Sequence, residues 1–172
     1  TLGTGGIARW VFAEDTLTMT GAGKLIATSG DKTSEFKINV LPRVPDSIQL
    51  ITTANSLVSH GSGSGILIGL ITDKFGNPVS DNLNARLELD YPQAPPRYKF
   101  LQTQGGIVWT WLQSMGGIGR LRVNLRSQQA STSLEIMQFP DTPNTIDLQI
   151  TPECVQNDGR DRVTLTADIK DQ

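Results

Sequence analysis

Apolar and polar residues alternate along this chain in short runs, each cut by Gly, Pro, Asn or Ser before it reaches helical length. A period of two over a few residues predicts half-buried β-strands, and no segment sustains the 3.6-residue period of an amphipathic helix. Between residues 43 and 140 the alternation predicts strands near 47–52, 56–59, 65–73, 84–90, 97–102, 106–113, 119–126 and 131–139. The chain is therefore expected to be all-β. The same alternation puts Leu67, Ile71, Leu87, Leu89, Leu121, Val123, Leu134 and Ile136 on the inward faces of a two-sheet antiparallel sandwich.

One stretch organises the rest. Ile66 to Val79 is an apolar strand that runs through Asp73 into a tight turn at Gly76-Asn77-Pro78. Gly and Asn tolerate positive φ and Pro cannot continue a ladder, so the strand has to stop there. The same strand ending returns at Val163 to Asp171, where Leu165, Ile169 and Asp171 stand 98 residues after Leu67, Ile71 and Asp73. That offset also pairs Pro42 with Pro140, Pro45 with Pro143, Ile48 with Ile146, Leu50 with Leu148, Thr53 with Thr151 and Gly61 with Gly159. Upstream, Gly5-Gly6-Ile7 matches Gly105-Gly106-Ile107 at 100, and Gly21 to Leu25 matches Gly117 to Leu121 at 96, as small differences in loop length would produce.

Self-similarity at a fixed period predicts a tandem array. Residues 1–42 read as the C-terminal half of one repeat, with its last three strands; 43–140 read as a complete repeat and 141–172 as the first strands of another. Seven or eight short strands in a repeat of that length predict an immunoglobulin-like Greek-key sandwich. The partial repeats are expected to have open edges and an open core. Further chain completes them, halves from neighbouring molecules complement one another, or they stay loose. Pro42-Arg43-Val44-Pro45 and Pro140-Asp141-Thr142-Pro143 recur at the two boundaries, and prolines three apart favour a stiff, extended joint that sets domains end to end. Gly61 to Gly65 has the composition of a tether, but its counterpart Gly159 to Val163 falls inside a domain, so both read as loops.

The strand ending Ile71 to Val79, the Gly105-Gly106-Ile107 strand opening, the Gly-x-Gly before Arg120-Leu121-Arg122-Val123 and the repeat itself resemble the bacterial immunoglobulin-like (group 1) domains of intimin and invasin outer-membrane adhesins. The resemblance covers essentially the whole chain. It implies a stalk or passenger module of a surface adhesin, anchored through an outer-membrane barrel and presenting a distal host-binding region, with neither part in this sequence. A similar bead in another extracellular setting, such as an accessory module of a polysaccharide-active enzyme or a phage fibre, is the alternative.

Composition narrows the chemistry. The 172 residues carry a net charge of −2, which argues against nucleic acid as the main partner. Cys154 is the sole cysteine, so no internal disulfide and no thiolate metal cluster can form. It reads as a small half-buried residue, or as the partner of a cysteine elsewhere. His60 is the one histidine and lies in a predicted loop, which leaves a nucleophile without a positioned base. Asp73, Asp81, Glu88 and Asp90 fall on separate turns and faces and read as solvated. Asp158 to Arg162 sets two acids among two arginines, a charged turn rather than a calcium loop. No catalytic residue, metal or cofactor is expected. Arg120, Arg122 and Arg126 share one strand face, expected to be wet, with sugar or phosphate contact as the lesser reading. Tyr91 to Pro96 fits either a partner contact or a rigid crossover.

Comparing repeats singles out one surface. Thr164, Thr166 and Asp168 alternate with Leu165, Ala167 and Ile169, so the first set faces water; the same register makes Ile66, Ile68 and Leu70 outward in the complete repeat. Arg9 takes the place of Trp109 one repeat earlier, which puts Ile107, Trp109 and Trp111 outward too. If their strands are neighbours, the six side chains form one apolar patch that binds a partner: a host-surface protein or glycan, a second copy, or a neighbouring domain of the same chain. Val108 and Leu112 give the opposite face an apolar claim as well, and a local flip would bury the tryptophans instead.

Overall fold

A computed structural model describes residues 7, 9, 11–13, 16–59, 61, 63–141, 143–152, 154 and 162–170, and the regular structure among them is all β. His60 and the Asp158–Asp161 part of the charged turn lie outside the described residues. The central unit runs through β3 (Ser47–Thr52), β4 (Ser56–Val58), β5 (Ser64–Thr72), β6 (Asn84–Asp90), β7 (Arg97–Gln102), β8 (Ile107–Gln113), β9 (Gly119–Ser127) and β10 (Ala130–Phe139), each within a residue of its expected bounds. Two hairpins flank it, β1 (Gly21–Ser29) with β2 (Lys32–Val40) and β11 (Thr145–Thr151) with β12 (Thr164–Lys170).

The eight central strands form a sandwich. One sheet has the order β3-β5-β8 and the other β4-β10-β9-β6-β7, with β4 parallel to β10 and the remaining pairs antiparallel. The chain changes sheet between β3 and β4, β4 and β5, β5 and β6, β7 and β8, and β8 and β9, the Greek-key crossing of an immunoglobulin-like fold. Leu67, Ile71, Val108 and Leu112 of the first sheet meet Leu87, Leu89, Leu121, Val123, Leu125 and Ile136 of the second in one buried core. Leu134, expected in the core, is only partly buried against it, because β4 pairs with β10 only at Met137–Phe139 and leaves the edge beside Leu134 uncovered. At Gly69 an added Cβ would stand 2.6 Å from Leu125 Cδ2, so the absent side chain is what lets the sheets close there.

The flanking hairpins repeat the register of the sandwich. Thr145 pairs with Lys170 and Ile150 with Leu165, as Ser47 pairs with Thr72 and Thr52 with Leu67 in β3–β5, all at a displacement of 98 residues. Gly21 pairs with Val40 and Ser29 with Lys32, as Gly119 pairs with Gln138 and Ser127 with Ala130. The offset of 96 for Gly21 to Leu25 is thus corrected to 98: the turns fix it, with Gly30 at φ 60° and Gln128 at φ 51° in equivalent places. A slip of two preserves the face of every side chain, which is why the sequence match tolerated it.

Residues 1–42 were expected to supply three strands; among the described residues two are formed, β1 and β2. Among the described residues before Gly21 there is no strand, and β1 and β2 pair only with each other. Both hairpins expose the face that is core in the sandwich: Ile146, Leu148, Ile150, Leu165 and Ile169 in one, Phe36 among the apolar residues of the other.

Candidate functional site

Two features stand out, a turn that joins units and an uncharged sheet face. The turn is the stretch after β5. Asp73 is only 3% exposed, although it was expected to be solvated, because its carboxylate is used up by backbone and amide donors. One oxygen accepts the Phe75 and Asn77 N–H groups at 2.9 Å each, and the other accepts the Arg43 N–H at 3.1 Å. The Asn77 amide lies 3.1 Å from both oxygens. Burial by itself would raise the Asp73 pKa. The hydrogen bonds from the Asn77 side chain and from the Arg43, Asn77 and Phe75 amides outweigh it and hold the group below its ordinary 3.8.

The turn also reaches beyond its own sandwich. Asn77 Nδ2 donates to the Thr18 carbonyl at 2.6 Å, and Asn77 Oδ1 accepts from the Thr20 N–H at 3.3 Å. Thr18 and Thr20 lead into β1, and Arg43 belongs to the Pro42–Pro45 joint, so one turn holds both ends of the preceding hairpin. The Arg43 guanidinium lies 5.3 Å from the Phe75 ring centroid and the Lys74 ammonium 4.8 Å, which adds a cation–π contact between joint and turn. Gly106 packs beneath it: at φ 75°, an added Cβ would lie 2.7 Å from Pro78 Cβ and 2.9 Å from the Ile71 carbonyl oxygen. The two sequence motifs singled out above therefore meet in space.

The sheet face lies on the outside of β3-β5-β8. Ile66 stands opposite Trp111, Ile68 opposite Trp109 and Leu70 opposite Ile107, so all six candidate residues come together on one face. Trp109 and Trp111 are 58% and 60% exposed, whereas Val108 and Leu112 are buried, which rules out the flipped register. Backbone bonds from Ile66 run to Thr53 rather than to β8, so Ile66 and Trp111 form a non-hydrogen-bonded pair, the arrangement that brings facing side chains closest. Ile51, opposite Ile68 on β3 and exposed, widens the patch; alternation alone could have found it. The remaining outward positions are Ser47, Gln49, Ser64, Thr72 and Gln113, so the face holds no charged side chain. At the free edge of β8, Lys99 Nζ donates to Thr110 Oγ1 at 3.1 Å and to the Trp111 carbonyl at 3.0 Å, which blunts addition of another strand.

The other candidates serve their own loops. Asp81 accepts the Gly105 N–H at 2.6 Å, and Glu88 accepts from the Tyr98 hydroxyl at 3.3 Å. Tyr91 is buried and donates to the Gln113 carbonyl at 2.8 Å; its burial pushes the phenol pKa up, with Arg97 pulling the other way. Gly117 N–H bonds to the Pro92 carbonyl, so Tyr91 to Pro96 is a tied crossover. Cys154 is exposed rather than half-buried, since the strands that would cover it are not paired with this hairpin.

No protein-family model matches the chain, and no curated protein matches it. Among solved structures it is similar to a glycosyl hydrolase family 2 member from Bacteroides cellulosilyticus, with 15% identity and a TM-score of 0.46 over 70% of this chain. It is similar also to a β-glucuronidase from glycoside hydrolase family 2, with 15% identity and a TM-score of 0.45 over 73% of this chain. The chain spans 18% and 15% of the lengths of those two proteins.

Proposed function

We propose that the chain is a non-catalytic segment of a bacterial surface stalk, a row of immunoglobulin-like units that spaces and presents a host-binding region, as the resemblance to intimin and invasin domains implies. The observation that carries this reading is the Asp73–Asn77 turn. The most distinctive motif of the sequence spends its polar groups on Arg43, Thr18 and Thr20, that is, on holding the preceding unit. Such a stalk would be carried outside the cell by an outer-membrane anchor.

The partial repeats are then completed by further chain, which covers the apolar faces of the two hairpins. The uncharged face of β3-β5-β8 then takes a second copy of the stalk as its occupant. A face without charges meets itself without like-charge repulsion, and Lys99 closes off the edge-to-edge alternative.

Small-angle scattering from a protein of three complete repeats tests the stalk. A maximum dimension that grows in proportion to the number of repeats is expected. Compact particles would overturn the reading in favour of an accessory module folded against a larger body.

A further inference from the structure

The outer face of the five-stranded sheet carries a row of side chains that the fold does not need. Phe100, Arg86, Arg126 and Ser131 stand directly opposite one another on β7, β6, β9 and β10. Strands about 4.8 Å apart make this a row of roughly 14 Å. The next row is Tyr98, Glu88, Asn124 and Ser133. Between them lies an open groove of about 560 Å³, lined by Arg86, Glu88, Asn124, Arg126, Ser131 and Ser133 among others.

Like charges directly opposite on a sheet destabilise it, so two facing arginines call for a reason. The neighbouring arginines have one: Arg120 and Arg122 both pair with Glu135, at 3.3 and 3.2 Å. Among the described residues Arg86 and Arg126 make no ion pair. The Arg86 guanidinium lies 4.6 Å from the Tyr98 ring centroid, and Arg126 Nε donates to the Gln128 carbonyl at 3.3 Å. Each contact orients a planar fork and leaves most of its N–H donors free. Nor does the framework require the pair. In the first hairpin the equivalents of Arg126 and Asn124 are Thr28 and Ile26, with the same strand register.

We infer that this groove binds an anionic saccharide, a sugar ring bearing a carboxylate or a sulfate. The two guanidiniums would take the anion, each through paired N–H donors. Ser131, Ser133 and Asn124 supply hydroxyl and amide partners for ring hydroxyls, and Glu88 accepts from them. Phe100, 78% exposed at the end of the arginine row, offers an apolar face to a neighbouring sugar ring. With two uncommitted cations in a chain of net charge −2, the site suits one or two anionic groups and not a polyphosphate backbone.

Titration calorimetry of the intact chain tests this, with heparin oligosaccharide as the sulfated probe, oligogalacturonate as the carboxylated probe, neutral dextran as the blank and a single-stranded oligonucleotide as the polyphosphate control. Saturable binding to one or both anionic probes is expected, and which one binds identifies the anion. Arg86→Gln and Arg126→Gln should each weaken it by about tenfold, the size of losing a charge-assisted pair, and Arg126→Lys by less. Phe100→Ala should weaken it too, and Arg120→Gln should not. Arg126→Gln should leave Tm unchanged or raise it, because it relieves the facing charges. No binding to either probe, equal binding of the oligonucleotide, equal loss in Arg120→Gln, or a fall in Tm on Arg126→Gln would each overturn the assignment.

Discussion

Asp73 shows how one side chain can set a joint. Replacing it with Ala leaves the Arg43, Phe75 and Asn77 amides without their acceptor, and each buried donor so stranded costs about 1–3 kcal/mol. Calorimetric melting should therefore show a loss of at least about 2 kcal/mol. The same carboxylate gives a pH signature. Its folded pKa lies below the ordinary 3.8, so its contribution is complete above that value and is lost as pH falls through the depressed one. The stability gap between the native protein and Asp73→Asn should be constant between pH 5 and pH 7 and shrink below about pH 4; a gap that widened on acidification would contradict this account. Gly106→Ala forces a Cβ into Pro78 and the Ile71 carbonyl at a positive φ, and it should lower Tm by more than the one methyl suggests. Leu121→Ala, at a fully buried core position, should cost about 2–5 kcal/mol.

At the scale of elements, the face of each strand was legible because a period of two assigns every side chain once the ends are known. Ile66, Ile68 and Leu70 could be read as outward only by setting them against Thr164, Thr166 and Asp168, since an apolar strand has no internal contrast. What alternation could not give was the turn position of β1–β2, or the burial of Asp73. The first escaped because a slip of two keeps every side chain on its face; the second depends on partners far away in the sequence, since Asp73 reaches Arg43. The Arg86–Arg126 row was equally hidden, because it arises from the pairing of β6 with β9 across an intervening pair of strands. For the uncharged face, Trp109→Thr combined with Ile68→Thr should abolish or weaken self-association in sedimentation equilibrium while leaving Tm nearly unchanged. A large fall in Tm would instead show that these side chains hold the sheet.

For the whole molecule, β1–β2 shares the register of β9–β10 and β11–β12 that of β3–β5, so the units are alike in strand pairing. The central claim is that the Asp73–Asn77 turn holds successive units in one orientation. The direct measurement is a spin-label distance across the joint, between labels at Lys32 on β2 and Gln102 on β7, in a protein that carries the preceding repeat entire and has Cys154 replaced by Ser. A single narrow distance distribution is expected, broadening in Asn77→Ala as the bonds to Thr18 and Thr20 are lost. A distribution that is broad from the start, or one that Asn77→Ala leaves unchanged, would contradict the claim.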